Sequence, residues 1–297
     1  MVKTYKFALV DAFAETPLAG NPCAVVLDAD SLSSGEMRKI AKEMNQSETA
    51  FLMPSNMSDL KARYFTPERE IPLAGHPTIA SVHAAIEVGM ISVGRGTTAL
   101  SLELNDGPIK VEIERTERGN WIRMFQRKPQ FGEIHEPSAV LPLFGLKEDD
   151  LLDGAPIQTV STGTRQLMVA VKGLDSLKRL SMNVDLYKKY RTKMNFFSPH
   201  IFCLNGVTPE GNTFARHLGV PPDTLEDAFT GSATGGMAAF LWKHDLIKQP
   251  RFIAEQGHWM DRPGKALVEV IGPRDNIEAV TVSGPAVTVV TGSLRIS

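Results

Sequence analysis

The sequence has few cysteines: only Cys23 and Cys203 are present among 297 residues. Their wide separation does not fit the closely spaced pairs of redox motifs or zinc-binding sites. We therefore expect two buried, structural thiols, since an unpaired cysteine commonly packs as a small apolar side chain. No stretch of about 18 consecutive apolar residues occurs either, so no membrane-spanning helix is predicted.

A surplus of charge of either sign is also missing, because 32 basic side chains stand against 34 acidic ones. This balance gives no long-range field that would attract nucleic acid or an anionic membrane, and it leaves a small neutral or acidic molecule as the expected partner. The basic residues 187–191 (YKKYR) are interpreted as a solvated helix face. The apolar part of the N-terminus is too short for the core of a signal peptide, which predicts a cytoplasmic protein.

Motifs that bind nucleotides or activate a serine are absent from the sequence. We find no GxxxxGK phosphate loop, no GxGxxG fingerprint after a strand and no GxSxG elbow. The seven histidines include no HExxH pair. We therefore predict neither a metal site nor a bound cofactor.

Two short segments resemble each other: residues 73–80 (LAGHPTIA) and residues 229–236 (FTGSATGG). Aligning Gly75 with Gly231 also pairs the apolar residues that follow, without a gap. Both segments lead into stretches that are apolar on most sides, and such helices belong in a protein interior. The repeat predicts two similar halves, each built around one buried helix.

Alternating apolar and polar residues predict antiparallel strands around these helices, for example at residues 100–104, 109–113 and 121–125. A polar helix is predicted over residues 175–191. The periodicity lapses near residues 128–137, so we place the domain boundary there. The predicted fold is α+β, with two similar domains at residues 1–130 and 131–297, each a mostly antiparallel curved sheet around a central helix.

The backbone groups at the two helix starts, and polar residues beside or ahead of them in sequence, suggest a catalytic or anion-binding role. A helix that begins at Gly75 or Gly231 presents unpaired backbone N–H groups, which suit a carboxylate or a developing oxyanion. Glu48 follows a helix predicted to end near Asn45, and desolvation would raise its pKa towards a value useful in general acid–base catalysis. Taken singly, Glu48 also fits a solvated turn carboxylate, and His76 fits a helix-start histidine bonded to the backbone. Asp227 by itself fits an ordinary loop acid.

Several short motifs follow one another along the chain: residues 20–26 (GNPCAVV), 44–51 (MNQSETAF), 74–78 (AGHPT), 161–163 (STG), 226–227 (ED), 230–233 (TGSA), 256–257 (QG) and 262–263 (RP). In these motifs and their order the chain resembles the phenazine biosynthesis PhzF-like proteins over almost its whole length. This resemblance implies a diaminopimelate epimerase-like fold, with the active cleft between two domains, and a homodimer.

The resemblance also implies roles for individual residues. In the phenazine enzyme a glutamate moves a proton between carbons of a hydroxylated, carboxylated cyclohexadiene, assisted by a histidine and an aspartate. These correspond here to Glu48, His76 and Asp227. The residues that would contact the substrate or its carboxylate are Ser47, Gly75, Gly231 and Ser232.

Two departures from related sequences bear on the expected reaction mechanism and on the expected substrate pocket. The cysteine-using epimerases of this fold place a thiol just before each helix-starting glycine, where this chain has Ala74 and Thr230. A two-thiol racemase mechanism would therefore lack both bases. The usual family run DPATGS is DAFTGS here, and we expect Phe229 to fill part of the pocket near Asp227.

We expect a cofactor-independent isomerase that acts on a small carboxylate-bearing, possibly cyclic substrate. Two alternatives remain open from the sequence. One is an amino-acid epimerase or racemase that uses Glu48 with a non-thiol partner such as His76 or Asp227. The other is a catalytically silent module that binds a small molecule or another protein.

Overall fold

A computed structural model describes residues 2–117, 119–221 and 224–296. Within these residues no helix is both long and apolar enough to cross a membrane. The strands among them are β1 (Lys3–Ala12), β2 (Asn21–Val26), β3 (Thr49–Met53), β4 (Leu60–Phe65), β5 (Glu70–Ile71), β6 (Thr97–Glu103), β7 (Ile109–Thr116), β8 (Gly119–Gln126), β9 (Gln130–His135), β10 (Ile157–Ser161), β11 (Arg165–Ala170), β12 (Ser198–Cys203), β13 (Thr213–Leu218), β14 (Glu226–Asp227), β15 (Arg251–Gln256), β16 (Gly264–Ile271), β17 (Ala279–Gly284) and β18 (Ala286–Ile296). The α-helices among them are α1 (Ser34–Met44), α2 (Gly75–Glu87), α3 (Pro137–Val140), α4 (Leu174–Lys178), α5 (Val184–Arg191) and α6 (Gly231–Lys243).

The chain divides into two compact units. The first runs as far as Phe125 and also includes Asp261–Gly264 and the C-terminal residues from Ser283 onwards. The second comprises Gln126–Met260 and Lys265–Val282. The domain boundary between residues 130 and 131 stays a prediction from the sequence. The sequence carries no pattern that indicates the return of the C-terminal strand to the first unit.

The strand pairings follow the same order in both units. In the first unit β2 lies parallel to β3, β4 pairs antiparallel with β3 and β5, and β6 lies parallel to β4. In the second unit β11, β12, β13, β14 and β15 repeat this pattern strand for strand. The fold is therefore α+β with two similar halves, as the sequence repeat predicted.

Each half is organised around one buried helix. Helix α2 packs against β1, β2, β3, β4 and β18, and ten of its residues are buried. Helix α6 packs against β10 and β11, and eleven of its residues are buried. The apolar composition on all sides of both helices is thus explained by burial, which confirms their predicted interior position.

The predicted polar helix over residues 175–191 is wrong, because two shorter helices, α4 and α5, occupy this segment. The side chain of Asn183 accepts a hydrogen bond from the backbone N–H of Leu186 at 3.1 Å and so caps the start of α5. Residues 128–137, where the apolar periodicity lapses, contain β9. Most side chains of β9 are exposed or partly exposed, which explains why its sequence shows no alternation.

Candidate active site

His76 lies in the first turn of α2, and its side chain is only 4% exposed. Asn21, the first residue of β2, places its Nδ2 atom 3.0 Å from Nδ1 of the imidazole. The other ring nitrogen, Nε2, lies 3.3 Å from Oε2 of Glu48 and 3.5 Å from the hydroxyl oxygen of Ser47. The histidine is therefore held at both nitrogens, with the predicted general base against one of them.

Glu48 reaches this position through a short corner between α1 and β3. Helix α1 ends at Met44, and Asn45 follows it in the left-handed conformation with φ 50°. Asparagine tolerates this conformation better than most residues, so the helix ends where the sequence predicted. The Glu48 side chain is 19% exposed, which leaves the carboxylate mostly, although not fully, removed from water.

Both cysteines are buried, as expected from the sequence. Burial raises the pKa of the Cys23 thiol, and the nearby negative charge of Glu48 raises it further. Burial likewise raises the pKa of the Cys203 thiol. Each side chain is therefore a protonated thiol at neutral pH and does not act as a thiolate nucleophile.

Asp227 lies on β14 in the second unit. The Thr230 hydroxyl group donates a hydrogen bond to its Oδ2 atom at 2.5 Å. Gln256 donates from Nε2 to the Asp227 carbonyl oxygen at 2.7 Å and accepts from the Thr230 backbone N–H at 3.2 Å. The neighbouring Glu226 is fixed by a two-pronged ion pair with Arg216, at 2.8 and 2.6 Å. The strand that carries Asp227 is thus anchored on both sides of this residue.

The side chain of Phe229 is fully buried. The expectation that Phe229 fills part of a substrate pocket stays a prediction. The adjacent Ala228 is also buried.

Gly231 and Ser232 form the first turn of α6, and both are buried. Gln126 donates from Nε2 to the carbonyl oxygen of Gly231 at 2.8 Å, and the Thr162 hydroxyl donates to that of Ser232 at 3.2 Å. A Cβ atom at Gly235 would lie 1.9 Å from Oε1 of Gln126. Glycine at this helix position therefore makes room for the side chain that supports the helix start.

A buried chain of polar groups lies on the same sheet as Asp227. His217, opposite Asp227 in the β13–β14 pairing, approaches the Ser198 hydroxyl at 2.7 Å through Nε2 and His200 at 3.3 Å through Nδ1. The Ser198 hydroxyl in turn donates to Oε1 of Gln166 at 2.9 Å. Because that hydroxyl proton is committed to the amide oxygen, Ser198 accepts from His217, whose neutral form carries its proton on Nε2.

Burial keeps both histidines of this chain uncharged. Desolvation lowers the pKa of His217 to about 4, although the nearby carboxylates of Asp227 and Glu226 act in the opposite direction. The pKa of His200 is also held well below its ordinary value, by burial and by the neighbouring His217. Sequence reasoning did not identify these two histidines, because they are separated along the chain and meet only through strand pairing.

The sequence-predicted residues fall into two groups, one in each unit. The first unit brings together Ser47, Glu48 and His76, with Gly75 adjacent in sequence. The second contains Asp227, Gly231 and Ser232. Within residues 2–117, 119–221 and 224–296, no three histidine, cysteine or carboxylate side chains are grouped as metal ligands would be.

The structure adds residues to which the sequence assigned no role. Asn21 and Gln256 belong to motif segments that carry the family resemblance. The sequence therefore marked these two residues but did not show which residues they contact. Gln126 was not identified at all, because it ends an ordinary alternating strand. Its importance depends on α6, which lies more than a hundred residues further along the chain.

Comparison with known proteins identifies related chains. Residues 10–292 match the family described as phenazine biosynthesis-like protein. The chain is 32% identical over 288 residues to an uncharacterized isomerase, YfhB, of Bacillus subtilis (strain 168), covering 96% of this chain and 97% of the relative. It is 33% identical over 298 residues to trans-2,3-dihydro-3-hydroxyanthranilate isomerase of Pseudomonas fluorescens, covering 98% and 99%.

A solved structure shows the same architecture. The Bacillus anthracis phenazine biosynthesis protein of the PhzF family superposes with a TM-score of 0.88 at 30% sequence identity. The match covers 99% of this chain and 100% of that protein. The similarity therefore extends over both units.

Proposed function

The chain belongs to the phenazine biosynthesis-like protein family and is an isomerase, and we propose that it moves a proton between two carbons of a small carboxylate-bearing substrate. Glu48 is the general acid and base in this proposal. The contact of 3.3 Å between its carboxylate and Nε2 of His76 is the observation that carries it.

The environment of Glu48 suits this role. Its carboxylate is mostly shielded from water, next to a histidine that can orient it and adjust its charge. Positioned general acids and bases typically contribute about 10²- to 10⁴-fold to a rate. The carboxylate would take a proton from a carbon made acidic by conjugation or by an adjacent carboxyl group, and would return it at another carbon.

The second unit supplies the anion-binding part of the proposal. Unpaired backbone N–H groups at the start of α6, near Gly231 and Ser232, suit the substrate carboxylate or the negative charge that develops during proton removal. Asp227 is held by Thr230 and Gln256, and in this proposal it orients the substrate. The resemblance to the Pseudomonas fluorescens enzyme makes a cyclic, hydroxylated amino acid of the dihydroanthranilate type the first substrate to test.

The test is isomerisation in heavy water. Purified protein incubated with trans-2,3-dihydro-3-hydroxyanthranilate in D₂O should shift the double bonds and place deuterium at carbon, which NMR detects. Parallel incubations with a panel of amino acids test the alternative, because an epimerase would introduce deuterium at the α-carbon with inversion. Binding of these carboxylates without deuterium incorporation in any incubation would contradict the proposed catalysis.

A further inference from the structure

Two motif segments without an assigned role meet in the first unit: Gly20–Asn21 and Arg262–Pro263. The guanidinium Nε of Arg262 donates to the carbonyl oxygen of Gly20 at 2.8 Å. The backbone N–H of Gly20 donates to the carbonyl oxygen of Pro263 at 3.0 Å. Segments more than 240 residues apart in sequence thus hold the backbone of one residue, Gly20, at both its N–H and its carbonyl group.

The loop that leads into this contact is strained. Phe13 and Leu18 adopt positive φ angles of 62° and 65°, which cost side-chain-bearing residues about 1–2 kcal/mol each. Gly20 also has a positive φ, of 57°, and a Cβ atom there would lie 2.2 Å from the carbonyl oxygen of Ala12. Only glycine fits at this position, and a strained backbone persists where the surrounding contacts fix it firmly.

Arg262 supplies those contacts together with Asp11. Its Nη2 atom donates to Oδ1 of Asp11 at 2.5 Å and to the carbonyl oxygen of Ala19 at 2.9 Å. The second carboxylate oxygen of Asp11 accepts from the backbone N–H of Leu18 at 2.7 Å. The guanidinium group therefore holds the loop directly at two carbonyl oxygens, those of Ala19 and Gly20, and indirectly at Leu18 through Asp11.

Asn21 is the residue that this loop presents to the active site. Its side chain is buried, with 2% exposure, and its amide lies against Nδ1 of His76 at 3.0 Å. On the other side of the ring, Nε2 faces the Glu48 carboxylate. The proposed function requires Glu48 as an ionised base, and an ionised carboxylate can only accept hydrogen bonds, so we assign the proton of a neutral imidazole to Nε2.

The state of the second ring nitrogen follows from the amide. The Nδ2 group of Asn21 is a donor, so Nδ1 of His76 is the unprotonated acceptor. We propose that Asn21 is a positioning residue that holds His76 as the neutral Nε2–H tautomer, and that Arg262 fixes the backbone from which Asn21 acts. An aspartate at this position would instead accept a hydrogen bond from a protonated Nδ1 and favour the imidazolium ion.

The tautomer matters for the proton transfer, and in this respect the inference rests on the proposed function. An imidazolium next to Glu48 would stabilise the carboxylate by its positive charge and make it a weaker base. A neutral Nε2–H group orients the carboxylate without that penalty. Asn21 thus contributes to the basicity of Glu48 through His76.

The tautomer can be read by ¹⁵N NMR of the imidazole nitrogens at neutral pH, without any substrate. In the wild-type protein we expect a protonated Nε2 and an unprotonated Nδ1 for the His76 signals, which are identified by their loss in His76→Gln. In Asn21→Asp we expect both nitrogens to be protonated. The exposed Asn56→Asp adds the same charge on the surface and should leave the His76 signals unchanged.

Arg262→Lys keeps a positive charge for Asp11 but removes the fork that holds Gly20 and Ala19, and we expect it to give a mixture of His76 tautomers. A proton on Nδ1 in the wild-type protein, or wild-type signals in Asn21→Asp, would overturn the role of Asn21. A pure Nε2–H signal in folded Arg262→Lys would overturn the role of Arg262. Loss of the proposed isomerase activity is a separate outcome, because the NMR signals do not depend on turnover.

Discussion

The hydroxyl group of Thr230 donates a hydrogen bond to Oδ2 of Asp227, with a distance of 2.5 Å between the two oxygens. The sequence resemblance implies that Thr230 corresponds to a thiol of the cysteine-using epimerases of this fold. In this chain the side chain of Thr230 is a hydroxyl that hydrogen-bonds to a carboxylate. Gln256 bridges the same two residues, so the arrangement is reinforced from a neighbouring strand.

This contact predicts a difference between two substitutions of Thr230. Thr230→Val keeps the shape but leaves Asp227 without the hydroxyl donor, and hydrogen bonds to charged groups are worth about 1.5–3 kcal/mol. We expect turnover to fall about 10- to 100-fold, while Thr230→Ser, which retains the hydroxyl, stays within a few-fold of wild type. Equal activity of the valine and serine variants would show that the bond does not serve catalysis.

Glu48→Gln removes the proposed base and preserves its shape. We expect turnover to fall by about 10²-fold or more, because general base catalysis is lost. The matched control is Glu43→Gln on the exposed face of α1, which should keep wild-type activity. Steady-state rates on the substrate identified by deuterium incorporation provide the measurement, and full activity of Glu48→Gln would exclude this mechanism.

Gly235→Ala should destabilise the protein, although glycine-to-alanine changes within helices usually stabilise. The new methyl group would meet Oε1 of Gln126 at 1.9 Å, and overpacking of a buried site costs about 1–3 kcal/mol. Gly35→Ala in α1 is the control, because its nearest neighbour would be the Ser33 hydroxyl oxygen at 3.9 Å. We expect that variant to be more stable than wild type by about 0.5–1 kcal/mol.

Urea unfolding measures both glycine variants. If the clash with Gln126 is the cause, Gly235→Ala should cost less free energy of unfolding in a Gln126→Ala background than in the wild-type protein. Identical costs in the two backgrounds would contradict this explanation.

The buried histidines predict a loss of stability in mild acid. The pKa of His217 is 6.5 in an ordinary environment and about 4 in the folded protein, so the unfolded state binds more protons between these pH values. The free energy of unfolding should therefore fall as the pH decreases from about 6.5 to about 4, by roughly 3 kcal/mol from this residue alone. His200 acts in the same direction.

Urea unfolding across this pH range provides the measurement. In His217→Gln the decline between pH 6.5 and 4 should be shallower, whereas above pH 7 the two curves should run parallel because neither side chain is then titrating. Curves that are parallel over the whole range would show that His217 does not control the acid sensitivity.

The two halves share more structure than their sequences reveal. Arg63 on β4 makes a two-pronged ion pair with Glu70 on β5, at 2.6 and 2.7 Å. Arg216 and Glu226 repeat this pair on β13 and β14. Alignment of the two glycines pairs Glu70 with Glu226, yet no sequence pattern indicated that each would bind an arginine.

The sequence by itself determined the fold class, the two buried helices and the corner that carries Glu48. These features depend on local properties: apolar residues on most sides of a helix, alternation along a strand, and capping residues at a helix end. The same local reasoning was wrong for residues 175–191, where an internal cap at Asn183 divides one predicted helix into two.

Only the tertiary structure decided which polar side chains meet. Asn21 and His76 are 55 residues apart, and Arg262 reaches Gly20 across 242 residues. Periodicity shows which face of an element is buried, but the partner of a buried polar group depends on strand order and on where distant segments return. The sequence could therefore indicate Glu48 as the proposed base, whereas the contacts that Asn21 and Glu48 make with His76 required the folded chain.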